Sequence, residues 1–336
     1  MRIAWPNLSL NSDAPSAWFR AYGASVRHRY VARFAGAPVS LPPLGRIPVS
    51  TSRSTDAEDL CGAIEALLEH LKPFVAHITD IDWKPKDGVL SLILRGMVRR
   101  QYDCLGAVTT LVRNGLGYAA APMLRPACEE FIWATYLAQL QKAEAEELVS
   151  VVGHGEVVAS LSAQDDYAGR KVTRELGLEA HLLKMRRSEP FARARLQKLG
   201  QKLGWEKRTV QSGSLPSVGY IAKQIGQTKL YNLLYHATSR FVHFSTSELL
   251  RRAWGKSGKV TICSDNFGEY WAAFTLHWGG LLLLRTTAAV ARALENEMPE
   301  NLLDVESLLR TAEEIADHGL VPIITAAELA WESNAP

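Results

Sequence analysis

A chain of 336 residues that is 47% hydrophobic and 22% charged has room for a sizeable core and the composition of an ordinary globular protein. Its net charge of +3 is too small to require a nucleic-acid or membrane partner, so any such role must come from local clustering of charge. The four cysteines, Cys61, Cys104, Cys128 and Cys263, form no C-x-x-C pair and have no zinc-like spacing to histidine; reduced thiols in a cytoplasmic protein without metal or cofactor are expected.

Residues 1–55 read as an N-terminal helix followed by a linker. Trp18, Tyr22, Val26, Tyr30 and Phe34 recur every four residues, which predicts an amphipathic helix from Pro15 to Phe34. Pro38, Pro42, Pro43 and Pro48 with nearby Ser and Thr then read as linker. This segment is Arg-rich and nearly free of acids, as transit peptides are, but with Met1 in place an uncleaved protein is the expectation. Thr55 and Glu58 have capping-box spacing and open a helix to about Val75.

After a turn over 83–88, a periodic apolar stretch predicts a helix from Val89 to Asn114, broken by Gly115 and Gly117. The next helix begins near Pro122 and runs to about Ala143, with Pro126 tolerated because it falls in the first turns. More polar helical segments follow at Glu144–Leu161 and Asp165–Leu183, then a basic stretch from Lys184 to Arg208. A loop at 213–217 and a short helix to Ile225 lead to one long helix, Lys229–Trp254. A turn at 255–258 and a short extended piece at 260–262 precede a helix from Asp265 to about Glu295. Its apolar run from Trp271 to Leu284 is interrupted by His277 and falls short of the ~20 residues a membrane span needs, so no membrane partner is expected. Helices at 305–318 and 326–331 close the chain.

With few strand signals and no repeat, the fold class is all-α: an antiparallel helical bundle with an N-terminal helix and linker extension. The bundle domain takes 56–336, with a basic helical insertion near 184–208 and its centre at 89–114, 122–143, 229–254 and 265–295.

Common catalytic signatures fail. Gly255-Lys256-Ser257 lacks the first glycine of a phosphate-binding loop, and H-E-x-x-H, G-x-S-x-G and paired Glu-x-x-His motifs are missing. Two polar constellations remain. Arg125 and Glu129 are four apart, spaced for an intrahelical ion pair that either locks the helix start or holds a phosphate or carboxylate. Tyr235, Ser239 and His243 repeat at four-residue spacing with Arg240 beside them. Either they are a satisfied core network, or His243 is a general base with Arg240 stabilising an oxyanion or phosphorane while Tyr235 and Ser239 orient substrate or imidazole. Arg186, Arg187, Arg193, Arg195, Lys198 and Lys202 are either a solvated helix face or a phosphate-backbone track.

Arg125-x-x-x-Glu129 followed by Tyr235-x-x-x-Ser239-x-x-x-His243-x-Ser245 resembles an uncharacterised family of all-helical bacterial proteins carrying R-x-x-x-E and Y-x-x-x-S-x-x-x-H-x-S helices. That resemblance implies a helical fold over about residues 89–295 and no settled activity. A looser similarity is to the HEPN helical bundles, many of them metal-independent ribonucleases of toxin and antiphage systems, marked by Arg, four to six residues, then His at a dimer interface. It implies an intracellular effector acting on RNA as a homodimer, with His243 as base, Arg240 and Arg125 at phosphate and Glu129 as orienter. The sequence departs from that pattern, because only two residues separate Arg240 from His243 and Phe241 follows the arginine. The formal match from Arg174 to His181 is one that chance supplies in so Arg-rich a chain. Against the effector stands a non-catalytic helical scaffold, binding protein or small-molecule sensor.

Overall fold

The computed structural model describes residues 57–84, 88–256, 259–263, 266–297 and 304–317, and these are almost wholly helical, as the patterning predicts. The expected helices at 15–34 and 326–331, the linker, Thr55 of the capping box and part of the 83–88 turn lie outside the described residues. The chain divides into two compact units.

One unit takes 82–93 and 140–217 among the described residues. Its frame is α5 (Lys142–Glu175) against α6 (Glu179–Lys202), followed by α7 (Lys207–Ser212). α5 is two helical pieces joined at Gly169, whose φ of 82° and ψ of 156° only glycine adopts readily, so two segments are present, with the break at Gly169 rather than at 162–164 and the second ending at Glu175 rather than Leu183. The helix ends in a Schellman turn at Gly177, where Leu178 N–H reaches Thr173 O at 3.0 Å, and the chain reverses into α6. Leu148, Val151 and Val158 are buried on α5, as are Leu182, Met185, Leu196 and Leu199 on α6. Trp205 folds back over Gly200, where a Cβ would meet its ring at 2.6 Å. The Glu146 carboxylate accepts from Val89 N at 2.6 Å and Leu90 N at 2.8 Å, capping the first turn of the next helix to be named.

The other unit takes 57–81, 94–139 and 218–317. It holds α1 (Ala57–Thr79), α2 (Leu90–Arg113, its first turn counted with the other unit), α3 (Gly117–Ala120) and α4 (Leu124–Gln139). After these come α8 (Val218–Gln224), α9 (Thr228–Val242), α10 (Thr246–Arg251), the strands β1 (Ala253–Lys256) and β2 (Lys259–Ile262), α11 (Gly268–Ala293) and α12 (Val305–Asp317). The core is built on α11. Every residue from Trp271 to Leu284 is buried, as the all-round apolar run requires, and the helix packs against α1, α3, α4 and α12. Gly279 meets Leu105 and Leu124, and Gly280 meets Ile64, so two glycines let three helices approach α11 closely. The predicted centre omitted α1, although Leu67, Leu71, Phe74 and Ile78 are fully buried on it.

The expected single helix at 229–254 is a correction. α9 stops at Val242, His243 takes an extended conformation at φ −117° and ψ 162°, and a new helix starts at Thr246. The cause is local: Ser245 Oγ accepts from Glu248 N at 3.4 Å, the N-cap of an S-x-x-E start. From Ala253 the chain forms an antiparallel hairpin, with Trp254 opposite Thr261 and Gly255 opposite Val260, so the extended piece at 260–262 has a partner strand.

Candidate functional site

Pro122 opens a single 3-10 turn, Ala121–Met123, that runs directly into α4. Pro126 then falls in the first turn of α4, where its missing N–H would have had no helical partner. This start holds Arg125 in place. Its Nε donates to Glu129 Oε1 at 2.8 Å and Nη2 contacts the same oxygen at 2.7 Å, while Nη1 donates to Ser239 Oγ on α9. The guanidinium lies over the Tyr235 ring with its carbon 4.0 Å from the centroid, a cation–π contact. Arg125, Glu129, Tyr235 and Ser239 thus converge from two helices, as their spacing allowed.

The cluster is reachable from solvent: the Arg125 side chain is 19% exposed and that of Glu129 35%. Ser239 uses its oxygen as acceptor, which leaves its own hydroxyl proton to donate. The Arg125 N–H groups not engaged with Glu129 and Ser239 are likewise without a partner among the described residues. Tyr231, missed in the sequence, packs at 5.3 Å from Tyr235, and burial raises its phenol pKa while Arg125 pulls the other way. It sits four residues before Tyr235, so the same spacing rule would have included it.

His243 stands apart. It is exposed at the end of α9, and the bond recorded for it is from its backbone N–H to Ser239 O at 3.0 Å. Arg240 points to different company as well, since its charge acts on Glu248 and helps hold that carboxyl down.

Glu248 belongs to a second cluster that sequence reasoning missed. Its Oε2 accepts from Arg251 at 3.0 Å, and both side chains are buried, 3% and 7% exposed. Arg251 lies over Trp271 at 5.1 Å and Arg252 over Tyr118 at 4.5 Å. Phe241 bridges the two rings, edge-on to Tyr118 at 5.0 Å and to Trp271 at 4.5 Å. The Tyr118 phenol is near enough to influence the carboxylate, yet Glu248 Oε1 is buried without a hydrogen-bond partner of good geometry. Burial raises the Glu248 pKa, opposed chiefly by Arg251. Only the S-x-x-E spacing from Ser245 hinted at Glu248.

The basic stretch is largely spoken for within its own unit. Lys202 pairs with Glu144 at 2.9 Å, Arg195 with Glu147 at 3.2 Å and Arg186 with Asp165 at 3.7 Å. Arg193 Nε donates to Ser212 O at 3.0 Å. Of the six residues expected to bind nucleic acid, Arg187 and Lys198 are the exposed ones without such a bond among the described residues. The acids that pair with α6 sit on α5, where no reading of 184–208 alone would find them.

Burial raises the thiol pKa of Cys61 and Cys104 and pushes that of Cys128 to about 12, so none of these is an activated nucleophile. Among the described residues no group of three His, Cys, Asp or Glu could hold a metal ion.

The family model described as a family of unknown function, DUF5677, matches residues 91–260, half of the chain. The chain belongs to DUF5677. That is an uncharacterised family, here with an all-helical structure, in keeping with the motif-based expectation. The DUF5677 match contains both polar clusters except Trp271, and it stops before the core helix α11. No curated protein and no solved structure matches the chain. No helix of the described residues is long and apolar enough to cross a membrane.

Proposed function

We propose that the chain is a helical binding protein and that the Arg125 cluster is its ligand site, taking an oxyanion, phosphate or carboxylate. One observation carries this reading: the Arg125 guanidinium is oriented by Glu129, Tyr235 and Ser239 yet remains partly exposed. Orientation in advance of binding removes the entropic penalty of fixing a long side chain, and a guanidinium offers planar, paired donors that match an oxyanion. Ser239 adds a hydroxyl donor beside it. The test is calorimetric titration of wild type and Arg125→Gln with inorganic phosphate and with acetate. Wild type should bind one of them, and Arg125→Gln should lose about tenfold or more in affinity, the scale of a charge-assisted hydrogen bond. Equal affinity in the two proteins would make the network purely structural.

A second reading is the HEPN-like, metal-independent ribonuclease of a toxin or antiphage effector, acting on RNA as a cytoplasmic homodimer. The observation in its favour is that His243 is exposed at the end of the helix that brings Ser239 to Arg125, and an imidazole there is free to act as a base. Overexpression should then arrest growth, and His243→Ala should relieve the arrest in a protein that still folds. Equal growth of cells carrying either form rules it out.

A further inference from the structure

The cluster around Glu248 is unevenly charged. Glu248 and Arg251 neutralise each other inside the protein, Arg251 stacked on Trp271. Arg252 remains exposed over the Tyr118 ring, and Arg240 is half-buried on the last turn of α9. Neither has a carboxylate partner in an ion pair among the described residues. The Tyr118 hydroxyl, on a buried ring, is engaged with Glu248 and close to Arg252. Arg240 and Arg251 repel one another, and the buried Glu248 charge attracts both, while Arg252 is held over the Tyr118 ring.

Arg240 directly follows Ser239, so the two side chains leave one turn of α9 in adjacent directions. Ser239 turns toward Arg125, and Phe241 on the other side of Arg240 reaches Tyr118. The Arg125 cluster and the pair Arg240 and Arg252 therefore flank the same end of α9.

We propose that Arg240 and Arg252 form a second anion subsite, so that the ligand of this protein carries two phosphate groups, one at Arg125 and Ser239 and the other here. The proposal rests on the reading of Arg125 as an oxyanion site and extends it. Glu248 is a positioning residue that attracts Arg240, and Tyr118 one that holds Arg252, neither touching the ligand. Two phosphates within one ligand come either from neighbouring phosphodiesters of a single strand or from a small polyphosphate, and the subsites suit both.

The experiment uses the full chain with three probes: inorganic phosphate, tripolyphosphate and a short single-stranded RNA. Arg240→Gln and Arg252→Gln change partly exposed side chains, so both should fold, which circular dichroism checks. The expected result is phosphate affinity unchanged in both variants, with affinity for tripolyphosphate or RNA reduced about tenfold. Loss confined to RNA assigns the phosphates to a strand, and loss confined to tripolyphosphate assigns them to a small anion. For RNA, the slope of log affinity against log salt should also shrink by about 0.7 per arginine removed. If Arg125→Gln weakens phosphate binding while Arg240→Gln and Arg252→Gln leave every probe unaffected, the second subsite is refuted and the first stands. If Arg125→Gln leaves phosphate binding intact, the underlying reading fails and this one with it.

Discussion

His277 makes acid stability a direct test of the core. It is 7% exposed on α11, beside the Trp278 ring at 5.1 Å, and burial depresses its pKa from 6.5 to about 4. The imidazole is thus neutral in the folded chain down to about pH 4, whereas in the unfolded chain it binds a proton near pH 6.5. Because the folded value lies below the unfolded one, the unfolded state binds more protons across that window, and stability falls as pH falls through it. The gap of about two and a half pKa values converts to ~3 kcal/mol of stability, complete above pH ~6.5 and lost progressively between pH ~6.5 and ~4. Glu130 and Glu248 act in the opposite sense, since burial raises their pKa and their uptake of a proton in the folded state adds stability as pH falls. The quantity to measure is therefore the difference between wild type and His277→Leu. Urea unfolding of both from neutral pH to about pH 4.5 should show the variant gaining about 2–3 kcal/mol on wild type toward acid, with a constant offset above pH ~6.5. Stability curves that run parallel across the whole range would refute the argument.

Gly117→Ala should destabilise the protein by about 1–3 kcal/mol, because the added Cβ meets Gly268 O at 2.4 Å and backbone cannot give way as a side chain can; thermal unfolding at the wild-type midpoint would contradict this. Tyr235→Phe should keep the ring under Arg125 and leave stability nearly unchanged, whereas Tyr235→Leu should lose about 1 kcal/mol. Equal losses in chemical denaturation of the two variants would mean that the phenol, not the ring face, matters. Removing the carboxylate that caps Val89 and Leu90 with Glu146→Ala should cost about 1 kcal/mol, read as faster amide exchange at the start of α2. Cys128, buried and with its thiol pushed to about 12, should resist a thiol reagent at neutral pH until the protein is denatured; rapid labelling of the native chain at this position would be the contrary result.

The helical class was legible because α2 and α4 carry their apolar residues at helical period and α11 is apolar over a run too long for a strand. Half of the Arg125 cluster was legible for the same reason, since residues four apart on α4 and on α9 share a face. The meeting of those two helices was not, because the bond from Arg125 to Ser239 joins positions 114 apart in sequence. His243 was misplaced by extending periodicity through a capping signal: Ser245 and Glu248 end one helix's claim and begin another, whatever the spacing of the residues before them. Glu248 and Arg251 have the spacing of an ordinary charged pair on a helix surface, and only the closing of Trp271 and Phe241 around them makes them interior. The partners of the basic stretch were out of sight for the converse reason. Its charge was real, but the acids that answer it lie some 20 to 60 residues earlier on α5.

Those pairings give the α5–α6 hairpin a ruler. Glu144 with Lys202, Glu147 with Arg195, and Asp165 with Arg186 are spread along most of the two helices, with Ser188 and His154 meeting at 3.1 Å between them. A slip of one helix past the other by a single turn, about 5.4 Å, would part all of these partners together. The apolar seam of leucines and valines would tolerate that slip far better, since one leucine resembles the next. Burial therefore brings the two helices together, and the charges choose which of the possible alignments is kept.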